Sequence, residues 1–531
     1  MEAGGGRERT EPRSEPRLAP QKTRRRAIQG LPGWTSMDRY DKRNMKRTLL
    51  ALFAVGLCAA QTGVFESHAD IGVTPKSGDA TFNAGEYRVT GGGANVWDKA
   101  DAFHFVYKKL SGDVTITADV KFFGTGAVAH RKAMLMIRQS LDPGSPYADI
   151  ALHGDGLTSL QYRTSAGAVT QEMRSDLSGV SHLRIERRGD TLMIYAGDEL
   201  WPGGPVTVRL GDPVYVGLGI CSHDANVLET AVFSGLKIDN GPRTTLQTLV
   251  HVYDVKTRKD KVIYQAKGHF EAPNWSPDGK YLLMNADGSL YRMPPEGGAP
   301  VKMEIPGVAN CNNDHGITRD GKMLALSCRG PAGNSQVYLA NADGSGARLM
   351  TPKTPSYFHG FSPDGKWFAY AAQRDGNFDI YRMPVDGGEE QRLTHDKGLD
   401  DGPDYSPDGK WLYFHSERAN GYDAWRMPPD GAGANDEKAQ RITSDDLEDW
   451  FPHPSPDGKR LLVVSFAHGT KGHPANRNVE IRMLPAPKDK IKPVKPVTLV
   501  KLFGGQGTIN VNSWAPDSRR FAYISYEYVP E

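Results

Sequence analysis

Three histidines, His315, His359 and His453, each stand two or three residues before the Ser or Thr of a short Ser-Pro-Asp-Gly-like turn. Carboxylates crowd the same segments (Glu271, Asp314, Asp401, Asp404 and Asp449), together with the amides Asn313, Asn510 and Asn512. Imidazole beside carboxylate is a workable ligand set for a divalent Zn, Mn or Fe ion. The same groups can move protons in general acid–base chemistry. Carboxylates mixed with amides instead suit a polar organic ligand, and a plainer use is to cap strand ends or to hold buried water. Spacing does not choose among these, because each histidine comes from a separate repeat. His315 and His359 precede the turn residue by three positions and His453 by two, so strand alternation turns His453 a different way.

The elements that must position these groups are legible as a repeat. An aromatic or apolar residue, then Ser-Pro-Asp-Gly-Lys, then an alternating apolar strand recurs as NWSPDGKYLLM, GITRDGKMLAL, GFSPDGKWFAY, DYSPDGKWLYF, HPSPDGKRLLV and SWAPDSRRFAY. Pro presets φ, Asp bonds its own backbone and Gly accepts positive φ, so each copy is a hairpin. A second signature, as in LYRMPPEGG, IYRMPVDGG and AWRMPPDGA, supplies a third strand, and a short fourth follows, as in EQRLT. Four strands at this period make a propeller blade. The last copy ends after two strands, and TLVHVYDV with DKVIYQA, upstream, completes it. The strand arithmetic closes at six blades over residues 244–531 and removes the open sheet edge. The segments before the turns, at the mouth of the central channel, are the expected ligand-binding positions.

Further residues are read from the same frame. Residues 467–478, with His468 and His473, form an insertion in the fifth blade suited to a pocket rim, and Gln506 sits in the Gly-rich LFGGQGTINVNS. That run has no Gly-Lys-Ser ending, which argues against a phosphate loop. Arg329, Arg374 and Arg418 recur at the end of the second strand and are expected to pair between blades; Trp367, Trp411 and Tyr281 are expected to pack there. Cys311 and Cys328 flank the turn at 318–322 almost symmetrically, so a disulfide across the hairpin is expected. Cys221 has no evident partner.

Residues 62–240 lack the repeat. Alternating strands such as VTITADVKF, KAMLMIR, LRIERRGDTLMIYAG and PVYVGLGICS, separated by Gly/Asp/Ser turns, indicate an antiparallel sandwich or jelly roll, so the chain is all-β. DNGPRTT, from Asp239, reads as the linker. Trp97, Trp201, Tyr147 and Tyr162 could stack on sugar rings or fill the core. Upstream, MKRTLLALFAVGLCAA at 45–60 has the basic start, apolar run and small-residue end of a secretory signal peptide, and cleavage would leave no membrane anchor. A lipoprotein reading through Cys58 is disfavoured by the bulky Leu57. Residues 1–44 are Arg- and Pro-rich, are expected to be disordered, and suggest a true start at Met45 or Met37. Residues 1–47 carry a surplus of +7, so with +2 for the whole chain the rest carries −5. A weakly acidic body with no basic stripe argues against nucleic acid as a partner.

The blade motif, an aromatic before Ser-Pro-Asp-Gly, resembles the repeat of the TolB-like six-bladed β-propeller family across essentially all of 244–531. The stretch GEYRVTGGGANVWDKADAFHFVYKKLSGDVTITADV resembles concanavalin-A-like sandwich modules of exported bacterial proteins. The first resemblance implies a periplasmic or secreted binding protein that engages an envelope protein, peptide or glycan, although the N-terminal sandwich departs from the namesake, which carries a different domain there. Related propellers include oligogalacturonate lyases with a metal in the channel. That implies the alternative, a carbohydrate-active lyase or hydrolase using the His and carboxylate groups, with a divalent metal as its cofactor. No Ser-His-Asp, Cys-His or paired-carboxylate arrangement can be assigned from spacing.

Overall fold

The Ser-Pro-Asp-Gly copies form the hairpins that their chemistry dictates. In the computed structural model, which describes residues 62–531 apart from 127, 198, 201–204, 420 and 489–490, the turn Ser or Thr hydroxyl donates to the Asp of the same turn in five copies. Strands on either side pair antiparallel. The signal peptide, the preceding arm and Trp201 lie outside the described residues.

Five four-stranded sheets follow one another: blade 1 (270–302), blade 2 (311–349), blade 3 (356–392), blade 4 (400–441) and blade 5 (448–505). Blade 6 is built from both ends of the propeller. Strand Thr244–Asp254 lies between Lys259–Lys267 and the C-terminal strand Arg520–Pro530, in register from Thr244 opposite Pro530 to Asp254 opposite Arg520. Its innermost segment, 509–514, meets the C-terminal strand through one bridge, Trp514 to Phe521. This is the six-bladed ring, closed by strands from opposite ends of the sequence.

The arginine of the third-strand signature links the blades. Arg382 lies 4.4 Å over the Trp367 ring and donates to Pro429 O of blade 4 at 2.6 Å. Arg426, fully buried, lies 3.7 Å over Trp411 and donates to Pro487 O and Lys488 O of blade 5. Arg292 covers Tyr281 and bonds Ala342 O of blade 2. The aromatic thus orients a guanidinium that crosses to the next blade. The second-strand arginines, expected to pair between blades, do not: Arg374 pairs with Glu390, and Arg418 with Asp400 and Asp436, all within their own blade.

The first half forms two antiparallel sheets around a shared core, a β-sandwich. Strand Asp113–Phe122 turns Val114, Ile116, Ala118 and Val120 inward against Ala133, Leu135 and Ile137 of strand Lys132–Arg138 in the other sheet. Tyr147 is fully buried and Tyr162 packs on that core, so both serve packing, while Trp97 stays partly exposed with Lys132 over its ring. The linker expected from Asp239 is nearly all strand. Asp224–Gly241 ends the sandwich and Thr244–Asp254 begins blade 6, leaving Pro242 and Arg243 between them. Arg243 bonds Leu210 O of the sandwich and Glu531 of the propeller. Among the described residues no helix is long and apolar enough to cross a membrane.

Candidate functional site

Each inner strand of blades 1–5 breaks register once against its neighbour, between Glu271 and Asn274 in blade 1 and at matching places in the other four. Such a bulge changes which side chains face the same way. In blades 1, 4 and 5 the bulge holds a residue at positive φ, namely Ala272, Gly402 and Phe451. The channel wall therefore does not follow simple alternation. Residues five before the turn (Glu271, Asn313, Tyr357, Asp401) line a cavity at the strand-start end, whereas Asn274 and Asp404, two before it, line a second cavity at the turn end.

The strand-start cavity encloses about 520 Å³ and gathers Glu271, Asn313, Asp314, His359, Asp401 and Gln506. Its wall is knitted together by amides. Asn313 Nδ2 donates to Glu271 Oε1 at 3.2 Å, Asn510 Nδ2 to Asp314 Oδ1 at 2.5 Å, Asn312 Nδ2 to Asp314 Oδ2 at 2.7 Å and Gln506 Nε2 to Asn313 Oδ1 at 3.4 Å. Burial pushes the Asp314 carboxyl up despite the nearby His359 charge and the Asn510 amide, and burial likewise raises Glu271. His359 Nε2 stands 2.9 Å from Asp401 Oδ1. Burial opposes charging of both, yet the attraction wins: Asp401 is held well below the usual carboxylate range, and Asp401 with Asp314 raises His359. The His359–Asp401 pair thus sits at the middle of the channel, where His359 lines both cavities.

The histidines do not converge on one point. His315 is buried with Nε2 3.4 Å from Leu283 O, and burial lowers it to about 4. His453 lies between Asp404 Oδ2 (3.1 Å) and Ile509 O (2.9 Å). Among the described residues no group of three His, Cys, Asp or Glu side chains is placed to hold a metal ion. The expected trio of His315, His359 and His453 is therefore divided among separate partners, because the bulged strands present them at different depths. Asp449 is also elsewhere: it pairs, buried, with Arg482 and accepts from Ser465 at 2.5 Å. Blade 5 reads IRMLP where blades 1 and 3 read YRMP and blade 4 reads WRMP. That extra residue moves Arg482 to the opposite strand face, towards Asp449. His315, Asp404 and Asn512 belong to the turn-side cavity.

Of the remaining wall residues, His473 belongs to the insertion expected at the pocket rim, whereas His415 and Arg329 were not singled out for this role from sequence. His473 Nε2, from the fifth-blade insertion, comes within 3.7 Å of Asp401 Oδ2, and its ring contacts Phe451. His415, on a second strand, is buried behind Asp401 and lowered by burial to about 3. Arg329 lines the cavity, exposed, and makes no side-chain ion pair or hydrogen bond among the described residues. It stands one position earlier in its repeat than the paired Arg374 and Arg418, so alternation places it on the opposite strand face from those two. Its neighbour Cys328 is joined to Cys311 by a disulfide across the hairpin, which pins the Arg329 strand to the wall segment 312–314. Cys221 is buried and free.

This geometry has relatives. The TolB beta propeller domain family matches residues 358–484. An uncharacterized protein of Agrobacterium fabrum is 44% identical over 291 residues, 55% of this chain and 96% of that protein. The chain belongs to the TolB-like β-propeller family. A solved TolB-type structure from Agrobacterium tumefaciens, also 44% identical, aligns over 54% of this chain and all of that one with a TM-score of 0.50. TolB from Acinetobacter baumannii is 19% identical over 49% of this chain and 68% of its own, with a TM-score of 0.36, too distant to carry an argument.

Proposed function

We propose that this TolB-like protein is an exported binding protein of the cell envelope whose strand-start cavity engages a protein, peptide or glycan ligand, with the sandwich as an accessory module. The observation that carries the reading is Arg329. A guanidinium with no carboxylate partner among the described residues, facing a wall of amides and two carboxyls whose ionisation burial disfavours, is a recognition group awaiting its counterpart. Export accords with the leader-like segment at 45–60 and with a disulfide, which persists in oxidising compartments.

The test pans the purified mature protein against displayed peptides and against a glycan array. A ligand selected by the native protein should bind at least about tenfold more weakly to Arg329→Ala, the loss expected for a charged hydrogen bond. It should bind normally to His468→Ala, which is exposed and lies beside Glu448 instead of in the cavity. Ligands that ignore Arg329→Ala would overturn the reading.

A further inference from the structure

At its other end the channel opens into the turn-side cavity of about 400 Å³, a volume typical of small-ligand sites. Its rim repeats an apolar element: Pro277, Pro363, Pro407, Pro456 and Pro516, each from the turn of a different blade. Blade 2 breaks the pattern, because its turn reads Thr-Arg-Asp-Gly and places Arg319 where the other five have proline. Arg319 is exposed, and its Nη1 donates to Pro407 O at 3.0 Å, reaching past blade 3 to blade 4. The rim lysines Lys280, Lys322, Lys366, Lys410 and Lys459 each lie 3.1–3.9 Å from the aspartate of their own turn. Arg319 has no such carboxylate among the described residues.

The floor of this cavity is polar and incompletely satisfied. His315 Nδ1 and Asn274 Oδ1 are buried without a hydrogen-bond partner, on residues 1% and 8% exposed that line the cavity. Asp404 would repel an anion, but its carboxylate accepts from Asn512 at 2.9 Å and faces His453 at 3.1 Å. Buried polar atoms left unpaired cost free energy, which a ligand's amide or hydroxyl can recover. The rim prolines offer contact area without charge. A guanidinium bound to a neutral carbonyl gains by exchanging it for a carboxylate, whose hydrogen bonds are charge-assisted.

We infer that the turn-side cavity is a second binding site, for a carboxylate with an apolar body whose head group lies on Arg319. A free aromatic or aliphatic acid and the C-terminal residue of a peptide share this chemistry. Calorimetric titration of the full mature protein with N-acetyl-Phe-Phe, its C-terminal amide, and phenylacetate tests it. The dipeptide acid should bind one to one, the amide about tenfold more weakly, and Arg319→Ala should bring the acid down to the level of the amide. Arg319→Lys should fall between, and Lys366→Ala, which keeps Arg319, should bind as the native protein does. Phenylacetate binding as tightly as the dipeptide identifies a free acid as the class of ligand; dipeptide binding alone identifies a chain end. Equal binding of acid and amide, no effect of Arg319→Ala, or no binding of either acid at millimolar concentration overturns the site. Arg319 is exposed, so its variants should melt as the native protein does.

Discussion

The channel holds histidines of opposite behaviour within one wall, and pH should separate them. His359 is raised by its carboxylates, so its contribution is fully present below the ordinary histidine value of 6.5 and fades as pH rises through its folded value. His315 is lowered from 6.5 to about 4 and His415 to about 3, both by burial. For these two the unfolded chain takes up protons first, so stability is full above 6.5 and falls as pH drops towards 4 and 3. His315 should remove about 3 kcal/mol over its window and His415 about 5 kcal/mol. Thermal melts between neutral and acid pH should show that limb, and His315→Gln, whose amide can still donate to Leu283 O, should make it shallower. A limb of unchanged slope in His315→Gln would place the acid loss elsewhere. Breaking the other kind of site, by Asp401→Asn, should lower stability at neutral pH by about 3 kcal/mol, because it leaves His359 buried beside a neutral group; urea titration reads this directly.

At the scale of the blade, two repeat arginines have different tasks, and the sequence showed only that both recur. The third-strand arginines Arg292, Arg382 and Arg426 stack on the aromatic that follows Gly-Lys and span to the next blade; Arg374 and Arg418, at the end of the second strand, close their own blades. Arg426 is the most demanding of the spanning set, since it is fully buried and feeds two carbonyls of blade 5. Arg426→Ala should cost about 3 kcal/mol by chemical denaturation, and Arg426→Lys should not recover it, because a point charge cannot replace a planar fork. Recovery by Lys would show that charge alone matters there. The hairpin disulfide was legible for a local reason: Cys311 and Cys328 are paired by the register of one turn. The wall of the channel was not, because the bulge in each inner strand redirects side chains and leaves no mark in residue type. Asp449 illustrates this. It looks like its neighbours in sequence but is drawn away by Arg482, which one extra residue in IRMLP turns over.

Across the whole molecule, closure of the ring depends on strand Thr244–Asp254, which lies between the C-terminal strand and Lys259–Lys267 in blade 6. A chain beginning at residue 242 keeps all the strands of the propeller, and relatives of about that length exist at 44% identity. It should fold as a monomeric β-protein by circular dichroism and size-exclusion chromatography. A chain beginning at residue 256 exposes the long edge of Arg520–Pro530 and should aggregate. Equal solubility of the two would mean that the ring does not need this clasp. At the join, Arg243 ties Leu210 of the sandwich to Glu531 of the propeller, so the two halves meet through a bonded strand crossing where DNGPRTT read as a linker.

What the sequence determined by itself was everything carried by local, periodic chemistry. Turn residues at fixed offsets defined the hairpins, their number set six blades, and the incomplete last copy demanded strands from upstream. Alternation in the first half indicated sheets, and the count of residues around one turn paired two cysteines. Only the tertiary structure decided which member of each copy reaches the channel, that the candidate residues divide between two cavities, and that Arg329 and Arg319 have no carboxylate partner among the described residues. Those outcomes rest on bulges, on contacts between blades and on an insertion folding back over the ring. Each depends on residues far apart in the chain, and so has no local signal to read.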